Sequence, residues 1–333
     1  MAPLDEDEEE TLDVELAACW STEIKLDRNV ARQLLAPAEV GRVKRDHQTG
    51  LRVETSAGRV VRVRRSAAGL AVGERALRGS TAAIGDPALL AREEHRRWIG
   101  ALDRMTPEDA RGTWRDAFTF AVEDADGEGP GLRRPQVGAV HAVLGHWTTG
   151  SRQPATVVMP TGTGKTETMV ALLVAARIER LLVVVPSDAL RDQIAAKFEG
   201  LGVLQATGVV ADSAAWPVVG RLAHGFSNAD AAQAWATACN VVVTTPAALN
   251  ASSPEAVHAL SSVCSALFVD EAHHVAAPSW RQVRDLFAAR DVVQFTATPY
   301  REDGKRLGGR IIYEFPLREA QRDRYFAAST TPR

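Results

Sequence analysis

The chain has 333 residues, 45% of them hydrophobic and 24% charged, with a net charge of −3; at roughly 150 residues per domain this is about two domains, the larger with room for a sizeable core. No uncharged apolar run reaches the roughly 18 residues of a membrane-spanning helix, and the acidic residues 5–10 are unlike the basic-then-apolar start of a secretory signal. Cys19, Cys239 and Cys264 lie far apart without CxxC spacing, which argues against a disulfide framework and a zinc knuckle and fits a cytoplasmic protein.

Residues 1–10 form a charge run with nothing to bury and are expected to be a disordered acidic tail. Residues 11–86 read as a small β-rich accessory module. Residues 12–16, 39–45, 51–55 and 59–65 alternate apolar with polar, and Gly50 and Gly58 mark turns. Between 38 and 78 there are ten Lys or Arg against four acids. Because the whole chain is acidic, any contact with a polyanion must be local. Two readings of the module stay open: an accessory nucleic-acid grip through Arg42, Lys44, Arg45, Arg62, Arg64 and Arg65, or a solvated β surface. Few aromatics are interleaved there for base stacking, which favours the solvated surface.

Residues 87–129 are expected to be a helical connector and linker. Leu89, Leu90, Trp98, Ile99 and Leu102 recur at helical spacing, and Trp98, Trp114 and Trp147 read as core. The acidic, glycine-rich residues 123–131 mark the domain boundary. From 130 to 333, Val-rich apolar runs at 155–159, 181–185, 241–244, 267–270 and 292–295 alternate with Ala-rich amphipathic stretches. That pattern predicts an α/β domain with a parallel sheet covered on both faces.

Within it, Met159-Pro160-Thr161-Gly162-Thr163-Gly164-Lys165-Thr166 closes an apolar strand and opens a helix. Such a loop aims backbone N–H groups at a polyphosphate, sets Lys165 against the β and γ phosphates and offers the Thr166 hydroxyl to Mg²⁺. Met159 stands where the general GxxxxGK[ST] pattern has its first glycine, while Gly162 and Gly164 are kept. Downstream, Asp270 and Glu271 end a second apolar strand, at the edge where open α/β sheets bind ligands. Asp270 is the candidate Mg²⁺ ligand and Glu271 the candidate base that activates the attacking water. His273 and His274 follow with no further ligand cluster to suggest zinc.

Taken together, these segments resemble the first RecA-like P-loop NTPase domain of a superfamily 2 helicase of the DEAD/DEAH-box, type III restriction enzyme-like branch. Residues 132–136 resemble the glutamine motif, 159–166 motif I, 183–187 with Leu190, Arg191 and Gln193 motif Ia, 243–246 motif Ib, 270–273 a DEAH box and 295–299 motif III. The resemblance spans about 130–320. It implies that Gln136 reads adenine and that Thr161, Gly162, Thr163, Gly164, Lys165, Thr166 and Glu167 hold ATP with Mg²⁺. It implies nucleic-acid contacts through Pro186, Ser187, Arg191, Thr244 and Thr245, and coupling of the two sites through His273, Thr296, Ala297 and Thr298. Taken singly, those serines and threonines are more often helix caps. Residues 308–320 resemble the strand and helix that lead towards a second motor domain.

Only about a dozen residues follow Ala320, so the second RecA-like domain is expected in cis in a longer polypeptide or in trans on another chain. The chain by itself is then expected to bind ATP and turn it over slowly, because an arginine supplied across such a cleft is worth ~10³ to 10⁵ in turnover. The expected activity is that of an ATP-dependent helicase or translocase motor half, on DNA in preference to RNA. The alternative is a non-catalytic, ATP-gated nucleic-acid-binding or scaffold subunit of a bacterial defence complex.

Overall fold

The computed structural model describes residues 12–46, 50–92, 97–124, 129–272, 283–298, 308–323 and 325. The chain divides into two compact units, Met1–Thr22 with Leu34–Arg104, and Glu23–Gln33 with Met105–Arg333. It begins with strands β1 (Leu12–Leu16), β2 (Cys19–Trp20), β3 (Ile24–Leu26) and β4 (Asn29–Ala36). Next come β5 (Glu39–Asp46), β6 (Gly50–Thr55), β7 (Val60–Arg64) and β8 (Arg75–Arg78), then helices α1 (Thr81–Gly85) and α2 (Pro87–Arg92), and strand β9 (Arg97–Gly100).

In the smaller unit the strand order is β1-β5-β6-β7-β8-β9, antiparallel except for the β7/β8 pair. Strict alternation turns Val14, Leu16, Val43, Leu51, Val53, Val61, Val63 and Leu77 to one face, where Leu90 of α2 completes a core. The helical spacing read through Trp98 and Ile99 is corrected here. Both residues lie in β9, with Trp98 paired opposite Leu77 and its indole N–H donated to the Ala17 carbonyl at 2.8 Å. Trp98 and Ile99 follow the end of α2 by six and seven positions, close to two helical turns, and so mimic its period; the cross-strand partner decides between the readings.

The larger unit continues through α3 (Pro107–Gly112), α4 (Arg134–Thr148), β10 (Ala155–Val158), α5 (Lys165–Ala175), β11 (Leu181–Val184) and α6 (Asp188–Glu199). Then come β12 (Val218–Leu222), α7 (Ala229–Thr237), β13 (Val241–Thr244), α8 (Pro246–Asn250), α9 (Pro254–Ser262) and β14 (Ala266–Val269). The last elements are β15 (Asp291–Thr296), β16 (Arg310–Glu314) and α10 (Leu317–Arg322). The sheet runs β16-β10-β15-β14-β11-β13-β12, all parallel, and β4 then pairs antiparallel with β12. Successive strand residues go to opposite layers. Val183, Val243 and Phe268 pack with Met169 and Phe198 on one side, while Leu182, Val242 and Leu267 pack with Trp235 and Leu260 on the other. This is the expected α/β domain. The strand expected to lead away from it, β16, is itself the edge strand beside β10. Among the described residues no helix is long and apolar enough to cross a membrane.

Three segments are grouped differently from the sequence reading. Residues 23–33 join the larger unit instead of the 11–86 module, and the expected 87–129 connector is divided, 87–104 joining the smaller unit and 105–129 the larger. The reason lies in β4, whose polar side chains are committed to that unit. Asn29 accepts the backbone N–H groups of Ala223 and His224 and donates to the His224 carbonyl, and Gln33 donates to the Trp216 carbonyl at 2.6 Å. Arg32 meets Glu199 at 2.9 Å, and Glu199 also accepts from Arg221 at 2.7 Å. Glu199 is 3% exposed, and removing one member of a buried ion group leaves its partners uncompensated. Glu199→Gln is expected to cost about 3 kcal/mol of stability, read as a lower urea midpoint of the full chain.

Candidate nucleotide-binding site

β10 and β14 are separated in the sheet by β15 alone, so with strands about 4.8 Å apart their carboxyl ends stand about 10 Å from each other on one edge. That gap accommodates a phosphate chain and its metal. After β10, Gly162 (φ 87°) and Gly164 (φ 91°) both take left-handed backbone that side chains rarely adopt, turning the chain into α5. A Cβ on Gly164 would also run into the Gln136 carboxamide.

Lys165 projects from the first turn of α5 and is 9% exposed, with Nζ 3.0 Å from Glu271 Oε1 and 3.4 Å from the Met159 carbonyl. Asp270 lies beneath, 5% exposed, its backbone N–H held by the Val184 carbonyl. Burial, and then the neighbouring Glu271 carboxylate, push the Asp270 pKa up to about 6 against the opposing pull of Lys165 and of the Glu271 backbone N–H. Asp270 Oδ1 is buried with no hydrogen-bond partner among the described residues. A buried, partnerless carboxylate oxygen beside an excess of negative charge is a site that a hard divalent cation satisfies. Glu271 adopts φ 46°, an uncommon conformation for a residue with a side chain.

These groups share a cleft of about 510 Å³ with Gln136, Thr161, Gly162, Gly164, Thr166 and Glu167. Of the expected nucleotide ligands, Thr163 is not brought to it. Its hydroxyl donates to the Pro160 carbonyl at 2.6 Å and the side chain is buried, so it shapes the loop from within. Glu167 lines the cleft but its carboxylate takes the Lys197 ammonium at 2.8 Å, tying α5 to α6. Gln136 accepts the Arg133 backbone N–H at 2.7 Å and donates to the Gly164 carbonyl at 3.4 Å. One amide hydrogen and one lone pair remain for a ligand.

The expected nucleic-acid contacts are placed differently from what their hydroxyls suggested. Ser187 caps α6, accepting from the Leu190 N–H, and Thr245 caps α8, accepting from the Ala248 N–H. Thr244 is fully buried and donates to the Leu222 carbonyl at 3.2 Å. Arg191 is held by Asp188 at 2.6 Å and Asp192 at 3.2 Å, and Pro186 is half-buried ahead of the cap. Of the coupling residues, Thr296 sits beside the phosphate loop, its carbonyl accepting the Met159 N–H at 2.9 Å and its hydroxyl donating to the Thr298 carbonyl at 2.7 Å. Ala297 lies between them in the turn after β15. His273 lies outside the described residues.

Two parts of the cleft go beyond the sequence reading. Leu190 and Gln193, read in the sequence as part of motif Ia, line its wall together with Ile194, an i, i+3, i+4 face of α6. Arg133 donates to the Gly162 carbonyl at 3.1 Å and lies 5.5 Å over the Tyr325 ring, while Arg134 meets Glu319 at 3.0 Å. The segment after β16 thus holds the start of α4 and, through Arg133, the phosphate loop. Arg133→Ala is expected to weaken nucleotide binding about fivefold, the weight of one hydrogen bond of roughly 1 kcal/mol, in a titration with a fluorescent ATP analogue.

No curated protein matches the chain in sequence. Among solved structures it is similar to a nuclease-deletion mutant of the Type ISP restriction-modification enzyme LlaGI, in complex with a DNA substrate mimic, with TM-score 0.39 and 15% identity over 60% of this chain and 21% of that one. It is similar to a hypothetical ATP-dependent RNA helicase from Sulfolobus tokodaii, with TM-score 0.37 and 16% identity over 58% of this chain and 51% of that one. A third, the Hef helicase domain of Pyrococcus furiosus, gives TM-score 0.32 and 20% identity over 48% and 33%. The matched part is thus between about a fifth and about half of each of those proteins. The family described as type III restriction enzyme, res subunit, matches residues 130–301. The match covers more than half of the chain and includes both sides of the cleft, and the chain belongs to that family, a branch of the superfamily 2 helicases.

Proposed function

We propose that this chain is the nucleotide-binding half of a helicase or translocase motor, which binds ATP with Mg²⁺ and couples its hydrolysis to movement on nucleic acid, DNA in preference to RNA. The observation that carries the reading is the 3.0 Å approach of Lys165 Nζ to Glu271 Oε1 in the same cleft as Asp270, whose buried Oδ1 has no hydrogen-bond partner among the described residues. Two strands and more than a hundred residues of chain converge there on the place a terminal phosphate would occupy.

Thr166 and Asp270 are the residues to hold Mg²⁺, which when bound neutralises charge on the phosphates. Lys165 exchanges its carboxylate partner for phosphate oxygens as ATP enters. That exchange frees Glu271 to accept a proton from the attacking water, which its fixed backbone aims at the same point. Gln136 offers its remaining donor and acceptor to the adenine edge. Thr296, bonded through its carbonyl to Met159, relays a shift of the phosphate loop to the turn at Ala297 and Thr298, with His273 the expected second relay. Because the Thr244 and Thr245 hydroxyls are turned inward, the nucleic-acid backbone is met at the turns around Pro186–Ser187 and after β13 by backbone N–H groups at helix starts, which read phosphate and ignore base identity. Rapid turnover requires a second RecA-like domain, carried on the same polypeptide or on another.

The test is steady-state ATP hydrolysis with and without duplex DNA, for the chain alone and with a candidate protein carrying a second motor domain. The reading expects Mg²⁺-dependent ATP binding by the chain alone and DNA-stimulated turnover once the second domain is present. Background turnover with every partner, together with an ATP-dependent change in DNA affinity, would instead establish the ATP-gated scaffold.

A further inference from the structure

The smaller unit buries one face of its sheet; on the other Arg62, Arg78 and Arg97 are exposed and Arg64 is half-buried, while Ala76 beside Arg62 is buried, and the strand register decides what is lined up there. Across β5, β6 and β7, Lys44 stands opposite Arg52 and Arg52 opposite Arg62. One row further along, Arg64 stands opposite Arg78 across β7 and β8, and Arg78 opposite Arg97 across β8 and β9. Paired residues share a face, each row crosses about 10 Å of sheet, and the rows lie about 7 Å apart.

Like charges placed directly opposite each other weaken a sheet, and this surface does so four times. Among the described residues, two carboxylates pair with three of these six cations. Glu54 takes Lys44 at 2.6 Å and Arg52 at 3.0 Å, and Glu74 takes Arg62 at 3.1 Å. Among the described residues Arg64, Arg78 and Arg97 have no ion-pair partner, and Arg64 Nε is buried with no hydrogen-bond acceptor. In a chain whose net charge is −3, this concentration of unanswered cations on one face is local and is set by register.

We infer that this face is a second nucleic-acid contact, outside the motor family's own motifs, that grips the phosphate backbone of duplex DNA. Charge complementarity selects the occupant: a duplex presents one phosphate charge per roughly 1.7 Å of axis, so it meets both rows at once, where a single small anion meets one residue. Five of the six cations are arginines, whose planar fork takes two phosphate oxygens together. The face carries no aromatic for base stacking, which fits contact with the backbone and no reading of sequence. It needs nothing from the nucleotide cleft and stands apart from the function proposed above.

The experiment is fluorescence anisotropy of a labelled 20-base-pair duplex with the full chain, over 50 to 200 mM salt, with and without a non-hydrolysable ATP analogue. The variants are Arg64→Gln/Arg78→Gln/Arg97→Gln and, should burial of Arg64 Nε make that triple variant unstable, Arg78→Gln/Arg97→Gln, which changes exposed side chains only. The expected result is binding about tenfold weaker at the middle of the salt range and a log–log salt slope reduced by about 0.9 per lost phosphate contact. That change should be the same in both nucleotide conditions. Unchanged affinity and slope in the double variant overturn the inference. So does competition by polyglutamate as effective as by unlabelled duplex, which would make the face a dock for acidic protein. A failure of the motor reading looks different: wild-type binding persists and no nucleotide alters it.

Discussion

Lys165→Ala is expected to reduce ATP turnover by about 10²- to 10³-fold, the typical effect of removing one preorganised group that stabilises charge in a transition state, and to weaken ATP binding as well. Its ammonium lies within 3.0 Å of Glu271 Oε1 and 3.4 Å of the Met159 carbonyl, at 9% exposure. Removing it has two effects that reinforce each other. The phosphates lose their buried cation, and the Asp270–Glu271 pair loses the charge that offsets its mutual repulsion. Asp270 already sits at about 6 because of burial and the Glu271 carboxylate. Without Lys165 it moves higher, and near neutral pH more of it is protonated and unable to hold a cation. Mg²⁺ affinity in the presence of ATP should therefore fall together with ATP affinity, which isothermal titration can follow. Lys165→Arg is expected to rescue little, because a planar fork does not replace a compact ammonium in so closed a space. ATP affinity and turnover of Lys165→Ala within twofold of wild type would remove the basis for the proposed chemistry.

Why the strands of the larger unit were legible, and much else was not, follows from what local sequence encodes. The runs at 155–159, 181–185 and 241–244 are Val-rich because both faces of their strands are buried, and continuous burial leaves its mark residue by residue. Gly162 and Gly164 were legible because left-handed backbone demands glycine. β12 and β4 escaped notice because a glycine and an arginine interrupt the first and Arg32 and Gln33 the second. The polar side chains of β4 are satisfied by residues about 170 to 195 positions away, such as Glu199 and Ala223, and Arg221 of β12 is held by the same Glu199. Ser187, Thr244 and Thr245 show the opposite limit. Their residue types fit either a phosphate ligand or a helix cap, and the structure uses Ser187 and Thr245 as caps and turns Thr244 inward. The arginine rows of the smaller unit were invisible for a third reason. Alternation shows that Arg62 and Arg64 share a face, but only the β7/β8 and β8/β9 registers align Arg64 with Arg78 and Arg97.

Glu271→Gln separates binding from chemistry and is the sharper test of what the acidic pair does. The amide keeps the size of the carboxylate, and its oxygen still accepts from Lys165, so the loop and the strand end should hold their places. The backbone at φ 46° costs glutamine much what it costs glutamate, since neither side chain is β-branched. What is lost is the capacity to take a proton from water, worth typically 10²- to 10⁴-fold. The expected signature is a fall in kcat of that size with the dissociation constant for ATP unchanged or lower, because one of two crowded negative charges has gone. DNA affinity should remain sensitive to ATP, leaving a motor arrested before hydrolysis. If Glu271 served only to hold Lys165 in place, the neutral amide would loosen the lysine, binding would weaken, and kcat at saturating ATP would change little. The two roles therefore predict opposite halves of the kinetic record, and a single pair of measurements, saturating turnover and nucleotide affinity, tells them apart.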